Sequence, residues 1–95
     1  MRLDLFLKLS RLIKRRSIAK EYCDHNLVEV NHQSAKASRE IRIGDEITLT
    51  FWNRTVTVEV LGIPSKGMKA KDAASLYRIL SERRKEKEGK PDEIL

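Results

Sequence analysis

Near the amino end of the chain, apolar residues recur at helical spacing. Leu3, Phe6 and Leu7 stand at i, i+3 and i+4, which predicts a first helix starting near Leu3 or Asp4 with one stripe facing a core. Asp4 falls in its first turn, where a carboxylate complements the helix dipole. A break at Ser10 separates it from a second helix over residues 14–24, with Ile18, Ala19, Tyr22 and Cys23 on the buried face. Arg16 and Lys20, four apart, share another face and point outward together. Asn26 tolerates positive φ better than most residues and is expected to end this helix in the left-handed conformation.

After Asn26 the period changes from helical to alternating. Residues 27–30 read as a short strand, Asn31-His32 as a turn, and residues 34–39 as extended or irregular. Ile43-Gly44-Asp45-Glu46 reads as a tight turn in which Gly44 supplies the unusual backbone geometry. Strands follow over residues 47–51 and 55–63, the second with Val56, Val58 and Val60 on one face, and Trp52-Asn53-Arg54 closes them into a hairpin. Pro64-Ser65-Lys66-Gly67 breaks the sheet. Ala73, Leu76, Tyr77 and Leu80 recur at i, i+3, i+4 and i+7, which predicts a third helix, capped by Asp72, within residues 70–88. Gly89 and Pro91 then mark residues 89–95 as a disordered tail. The expectation is an α+β fold. An N-terminal two-helix unit packs on a small, mostly antiparallel sheet (residues 2–63), and a C-terminal helix follows.

Composition narrows the class. Ninety-five residues, 40% hydrophobic and 36% charged, make one small domain and leave no room for a deep catalytic cleft. No apolar run approaches the roughly 20 residues of a membrane span, and no signal-peptide stretch opens the chain. The single cysteine has no internal partner, which suits a reducing, cytoplasmic setting. Residues 1–20 carry seven Lys/Arg against one Asp, a local excess equal to the +6 of the whole chain. A polyanion is the natural partner of such a cluster, since each neutralised phosphate releases a condensed counterion. A solvated helix face is the plainer reading of the same charge. Leu, Phe and Ile interleaved with the cations favour nucleic acid.

Five fragments in order then carry a resemblance: Arg2-Leu3-Asp4 with Phe6-Leu7; Arg16-Ser17-x-Ala19-x-x-x-Cys23; Val28-x-Val30-Asn31; Ala35-Lys36-Ala37-Ser38; and Ile43-Gly44-Asp45-Glu46-Ile47. Together they resemble the S-four RNA-binding domain over roughly half of the chain. The short length, Ala35-Lys36-Ala37-Ser38 and the later Ala73-Ala74-x-x-Tyr77-x-x-Leu80 are similar to a stand-alone bacterial subgroup active in ribosome-associated quality control. The heat-shock ribosome-binding branch is a near relative that typically has Pro where this chain has Ala37. This chain departs at Leu5, where relatives often carry Lys, and at Asn26 and His32, where Gly is frequent. The resemblance implies binding to large-subunit rRNA and to tRNA, alongside the factor that tails stalled nascent chains. It implies no catalysis, cofactor, metal, membrane or small-molecule substrate, and the protein is expected to be a monomer.

The residues expected on RNA are Arg2, Arg11, Lys14, Arg15, Arg16, Lys20, Lys36 and Ser38. Arginine suits phosphate because its planar guanidinium pairs bidentately and also stacks on bases. Arg16, at the start of the second helix and within the Arg-Ser-x-Ala fragment, ranks first. Asp4 reads as a helix cap or an orienter of arginine rather than a catalytic acid. Cys23, His25 and His32, with Asp24, do not have the spacing of a closed zinc site. No base or oxyanion group accompanies Cys23 or Ser17 as a nucleophile. Phe51 and Trp52 at the hairpin end read as packing first and as a base-stacking pair second. Two short helices with a basic second member also resemble a helix-turn-helix, which keeps a DNA-binding regulator as an alternative. An RNA-modifying enzyme is the remaining rival, for which the chain is too short.

Overall fold

The computed structural model describes residues 1–64 and 70–84. Two helices, α1 (Leu3–Leu9) and α2 (Arg16–Asp24), precede strands β1 (Val28–Val30), β2 (Gln33–Ser34), β3 (Glu46–Thr50) and β4 (Arg54–Val60). A 3₁₀ helix (Ala70–Leu76) then leads into strand β5 (Tyr77–Arg84). The strands form one antiparallel sheet in the order β2-β1-β3-β4-β5.

The core lies between the helix pair and one sheet face. Leu3, Phe6 and Leu7 of α1 and Ala19, Tyr22 and Cys23 of α2 are buried against Val28, Val30, Ile47, Leu49, Val58 and Val60. Alternation in β3 and β4 puts every second residue inward, as the pleat requires. The first two N–H groups of α1 have no side-chain cap. The loop before the Gly44 turn satisfies them instead: Leu3 N–H donates to the Arg39 carbonyl (2.8 Å) and Asp4 N–H to the Ala37 carbonyl (3.1 Å). Ala35 and Ala37 are buried while Lys36 and Ser38 face solvent, so small residues let this loop lie against α1.

Helix α2 starts at Arg16, two residues later than the periodicity predicts. Arg11 takes a left-handed φ of 67°, and Ile13 folds back to donate from its N–H to the Leu7 carbonyl (3.1 Å). That brings Ile13 into the core and leaves Arg15 extended as the cap residue of α2. The other end of α2 is as expected. Asn26 has φ 61°, with its N–H donating to the Cys23 carbonyl and that of Leu27 to the Tyr22 carbonyl, a Schellman ending.

Asn31 and His32 both have positive φ (53° and 71°) and close a two-residue hairpin between Val30 and Gln33, which are paired. Both central residues left-handed is the type I′ arrangement, whose twist matches the flanking strands. Asn31 also ties this turn to the Gly44 turn. Its Nδ2 donates to Asp45 Oδ1 (3.2 Å), and its Oδ1 accepts from Glu46 N–H (3.0 Å). A β-carbon at position 32 makes the left-handed backbone costly. His32→Gly should therefore raise stability by about 0.5–1 kcal/mol, read as a higher denaturant midpoint with an unchanged slope. The exposed His32–Glu46 contact at 3.7 Å is too weak to offset that gain.

Of the C-terminal helix expected within residues 70–88, the described part, residues 70–84, takes another form, and residues 85–88 lie outside the described residues. Ala73 and Leu76 are buried as the stripe requires, but in a 3₁₀ turn. From Tyr77 the chain pairs with β4 along its length, Val60 opposite Tyr77 and Arg54 opposite Arg84, with a bulge between Thr57 and Val58. Leu80, expected on the inner helix face, is 42% exposed, and its neighbour Ile79 is 52% exposed. The second edge of β4 carries unpaired backbone donors and acceptors, and a strand satisfies them where a helix would not. The expected tail, 89–95, lies outside the described residues.

Candidate nucleic-acid interface

Asp4 is the centre of the basic face. Its side chain is only 4% exposed, yet it carries charge because two guanidinium groups converge on it. Arg2 Nε donates to Oδ1 (3.2 Å), and Arg16 Nε donates to Oδ2 (3.2 Å). Leu5 N–H also donates to Oδ1 (2.8 Å), fixing the carboxylate rotamer. Burial alone works against ionisation, but the hydrogen bonds and charges of Arg2 and Arg16 outweigh it and hold the carboxyl below its ordinary 3.8. Arg2 and Arg16 themselves stay 49% and 47% exposed. One buried anion thus holds two arginines, fourteen positions apart, side by side with their outer donors in solvent.

Around Arg2 the surface sinks into a depression of about 360 Å³, which Lys20, Lys36 and Ser38 line together with Arg2, Cys23 and Asp24. The loop that accepts the α1 N–H groups brings Lys36 and Ser38 there. Lys20 arrives one helical turn after Arg16. Five of the eight residues expected on RNA, Arg2, Arg16, Lys20, Lys36 and Ser38, therefore gather around Asp4 or this hollow. Lys14 and Arg15 do not join them. They border a separate groove of about 540 Å³ beneath the β3–β4 turn. Arg11 is exposed on the left-handed turn after α1 and lines neither depression.

The sequence marks Arg54 as a hairpin residue but not as part of a site. Its guanidinium lies over the Phe51 ring, 4.9 Å from the centroid, and Phe51 packs on Tyr22 at 5.7 Å with the planes tilted by 59°. The available signal was the hairpin itself, since Phe51 N–H donates to the Arg54 carbonyl (2.8 Å) and sets the two residues opposite each other.

Cys23 faces the core, with desolvation first and the nearby Asp4 and Asp24 charges second pushing its thiol up to about 11. Alkylation of the folded protein near neutral pH should run about 100-fold slower than that of the unfolded chain, checked by timed labelling and mass measurement. Among the described residues, no group of three or more His, Cys, Asp or Glu side chains is arranged to hold a metal ion. No helix among them is long and apolar enough to cross a membrane.

The S4 domain family matches residues 1–47 of this chain. The RQC P-site tRNA stabilizing factor of Bacillus subtilis is 48% identical over 82 residues, which span 86% of this chain and 94% of that protein. Its Streptococcus pneumoniae counterpart of the same name is 43% identical over 90% of this chain and 97% of that protein. Among solved structures, the trimeric structure of Vibrio cholerae Heat Shock Protein 15 superposes with a TM-score of 0.77 at 33% identity, covering 85% of this chain and 82% of that one.

Proposed function

The chain belongs to the S4-domain family that includes the RQC P-site tRNA stabilizing factors, and from that membership we propose that it is a non-catalytic RNA-binding protein of the large ribosomal subunit. In this reading it contacts rRNA and a P-site tRNA. It thereby assists C-terminal tailing of stalled nascent chains in ribosome-associated quality control, beside the tailing factor. The observation that carries the reading is the Asp4 carboxylate holding Arg2 and Arg16 in fixed register on an exposed face. Two aligned guanidinium groups, with Lys20 and Lys36 beside them, match consecutive phosphates of a folded RNA backbone. Recognition is by charge and shape, as suits the wide minor groove of A-form RNA. One copy suffices for this contact, because every group in it comes from a single chain.

A second reading has the protein recycle large subunits that hold trapped nascent chains. The fold likeness to Heat Shock Protein 15 favours it, and the higher identity to the tRNA stabilizing factors favours the first. Both readings need RNA, so RNA binding is tested first. A stem–loop RNA should bind more tightly than a DNA duplex of equal charge. Its affinity should fall steeply with salt, and Arg16→Ala with Lys20→Ala should reduce the slope of log K against log salt by about 1–2 while the fold survives. Unchanged affinity and slope in the folded double variant would remove this face from the RNA. Tighter binding to the DNA duplex would favour a DNA-binding regulator.

A further inference from the structure

The groove beside Lys14 and Arg15 differs in chemistry from the Asp4-centred face. Its walls are aromatic, with Tyr22, Phe51 and Trp52 half-buried or buried at the β3–β4 end. Arg54 over Phe51 and Phe51 against Tyr22 fix these two rings in place before anything binds, and Trp52 stands beside them on the groove wall. Its rim is cationic: Lys14 and Arg15 are exposed and form no ion pair among the described residues. Arg54 Nε is buried without a hydrogen-bond partner, 3.8 Å from the Glu82 carboxylate. At about 540 Å³ the groove falls within the size range of sites that hold small planar ligands.

Planar apolar walls below unpaired cations suit an occupant that is flat and aromatic at one end and anionic at the other. A nucleotide has that form, and only an unpaired one can present its base face. A duplex keeps its bases stacked inside, whereas loops and bulges splay them out onto aromatic side chains. Arg15 borders this groove and the next residue, Arg16, belongs to the Asp4-centred face. Successive Cα atoms are about 3.8 Å apart, so the groove and the Asp4-centred face adjoin through the backbone at the start of α2. An acidic or aromatic peptide segment is the competing occupant. It lacks the charge at every backbone step that Lys14 and Arg15 on this rim would meet.

We propose that the groove takes one unpaired nucleotide of the bound RNA, with its base against Phe51 and Trp52 and its phosphate on Lys14 and Arg15. This rests on the RNA-binding reading above and adds to it a preference for RNA with a splayed-out base. The face around Asp4 supplies charge, and the groove supplies discrimination between loop and duplex.

Trp52 is the single tryptophan of the chain, so its emission reports on the groove alone. The intact protein is titrated with a labelled stem–loop RNA carrying an adenosine loop, and with a blunt RNA duplex of equal charge. Label anisotropy reads binding in both, and tryptophan emission reads stacking. The stem–loop should quench Trp52 and bind about tenfold more tightly than the duplex, which should bind without quenching. Trp52→Leu should erase that preference and leave duplex affinity and the unfolding midpoint as they were. Lys14→Ala with Arg15→Ala, on exposed positions that leave the core intact, should likewise narrow the preference. If the stem–loop saturates without altering Trp52 emission, and Trp52→Leu binds it like the parent, the groove is no RNA subsite and falls to a protein partner. If neither RNA binds even at low salt, the RNA-binding reading itself fails and takes this inference with it.

Discussion

Asp4→Asn should cost the fold about 1.5–3 kcal/mol, because it removes the charge that two guanidinium groups share while keeping the shape and the acceptor for Leu5 N–H. Its effect on RNA is the sharper test. Removing a negative charge from a basic face raises the local positive potential, which by itself would strengthen binding to a polyanion. Releasing Arg2 and Arg16 from their shared anchor works the other way. Each long side chain that must be ordered on binding costs about 0.5–1.5 kcal/mol, so two of them weaken affinity by about tenfold. If orientation outweighs potential, Asp4→Asn binds stem–loop RNA more weakly while the slope of log K against log salt is unchanged, since the number of phosphates contacted is the same. Tighter binding in the variant would show that Asp4 only dilutes the charge.

The same carboxylate sets a pH window. Its folded-state value is lowered relative to the unfolded chain, so the stability it contributes is fully present above the ordinary 3.8 and is lost as pH falls through the lower folded value. The stability gap between the parent and Asp4→Asn should therefore be constant near neutral pH and shrink in acid, as denaturant unfolding at several pH values would reveal. A gap that persists unchanged in strong acid would assign the loss to packing rather than to charge.

Much of this architecture was legible in the residues because the two periods are clean. Leu3, Phe6 and Leu7 and the Ile18–Tyr22 stripe have only one way to face a core, and the β3 and β4 alternation has only one inward face. Asn31 and Asp45 were visible as turn residues, but their hydrogen bond joins two turns and shows only when β1 lies beside β3. The strand β5 was hidden because Ala73, Leu76, Tyr77 and Leu80 fit a helical period by coincidence. What decides its conformation is the free edge of β4, a non-local demand that no window of sequence contains. The site divided in the same way. Charge clustering marked the arginines as candidates, and the helix start put Arg16 first among them. That Arg2 and Arg16 meet on one carboxylate depends on how α1 crosses α2, and that Lys14 and Arg15 point to a second groove depends on the left-handed turn at Arg11.

Arg2→Ala together with Arg16→Ala should release the protein from ribosomal particles. Each arginine keeps about half of its side chain in solvent while one edge is held by Asp4, so the outer donors are free to pair with phosphate at little ordering cost. A hydrogen bond to a charged group contributes about 1.5–3 kcal/mol, so losing two such contacts predicts at least a 100-fold loss of affinity. In a density gradient of lysate from cells with stalled translation, the parent protein should travel with large subunits, and the double variant should remain in the light fractions. Asp4 would then lie buried without its partners, so the variant must first be shown to fold by its unfolding curve. Arg16→Lys provides the control on an intact fold: it keeps the charge but loses the planar fork, and should fall between the two in particle association. Co-migration of the parent with small subunits alone would defeat the quality-control reading while leaving RNA binding in place. Equal particle association of parent and folded double variant would move the contact away from the Asp4-centred face altogether.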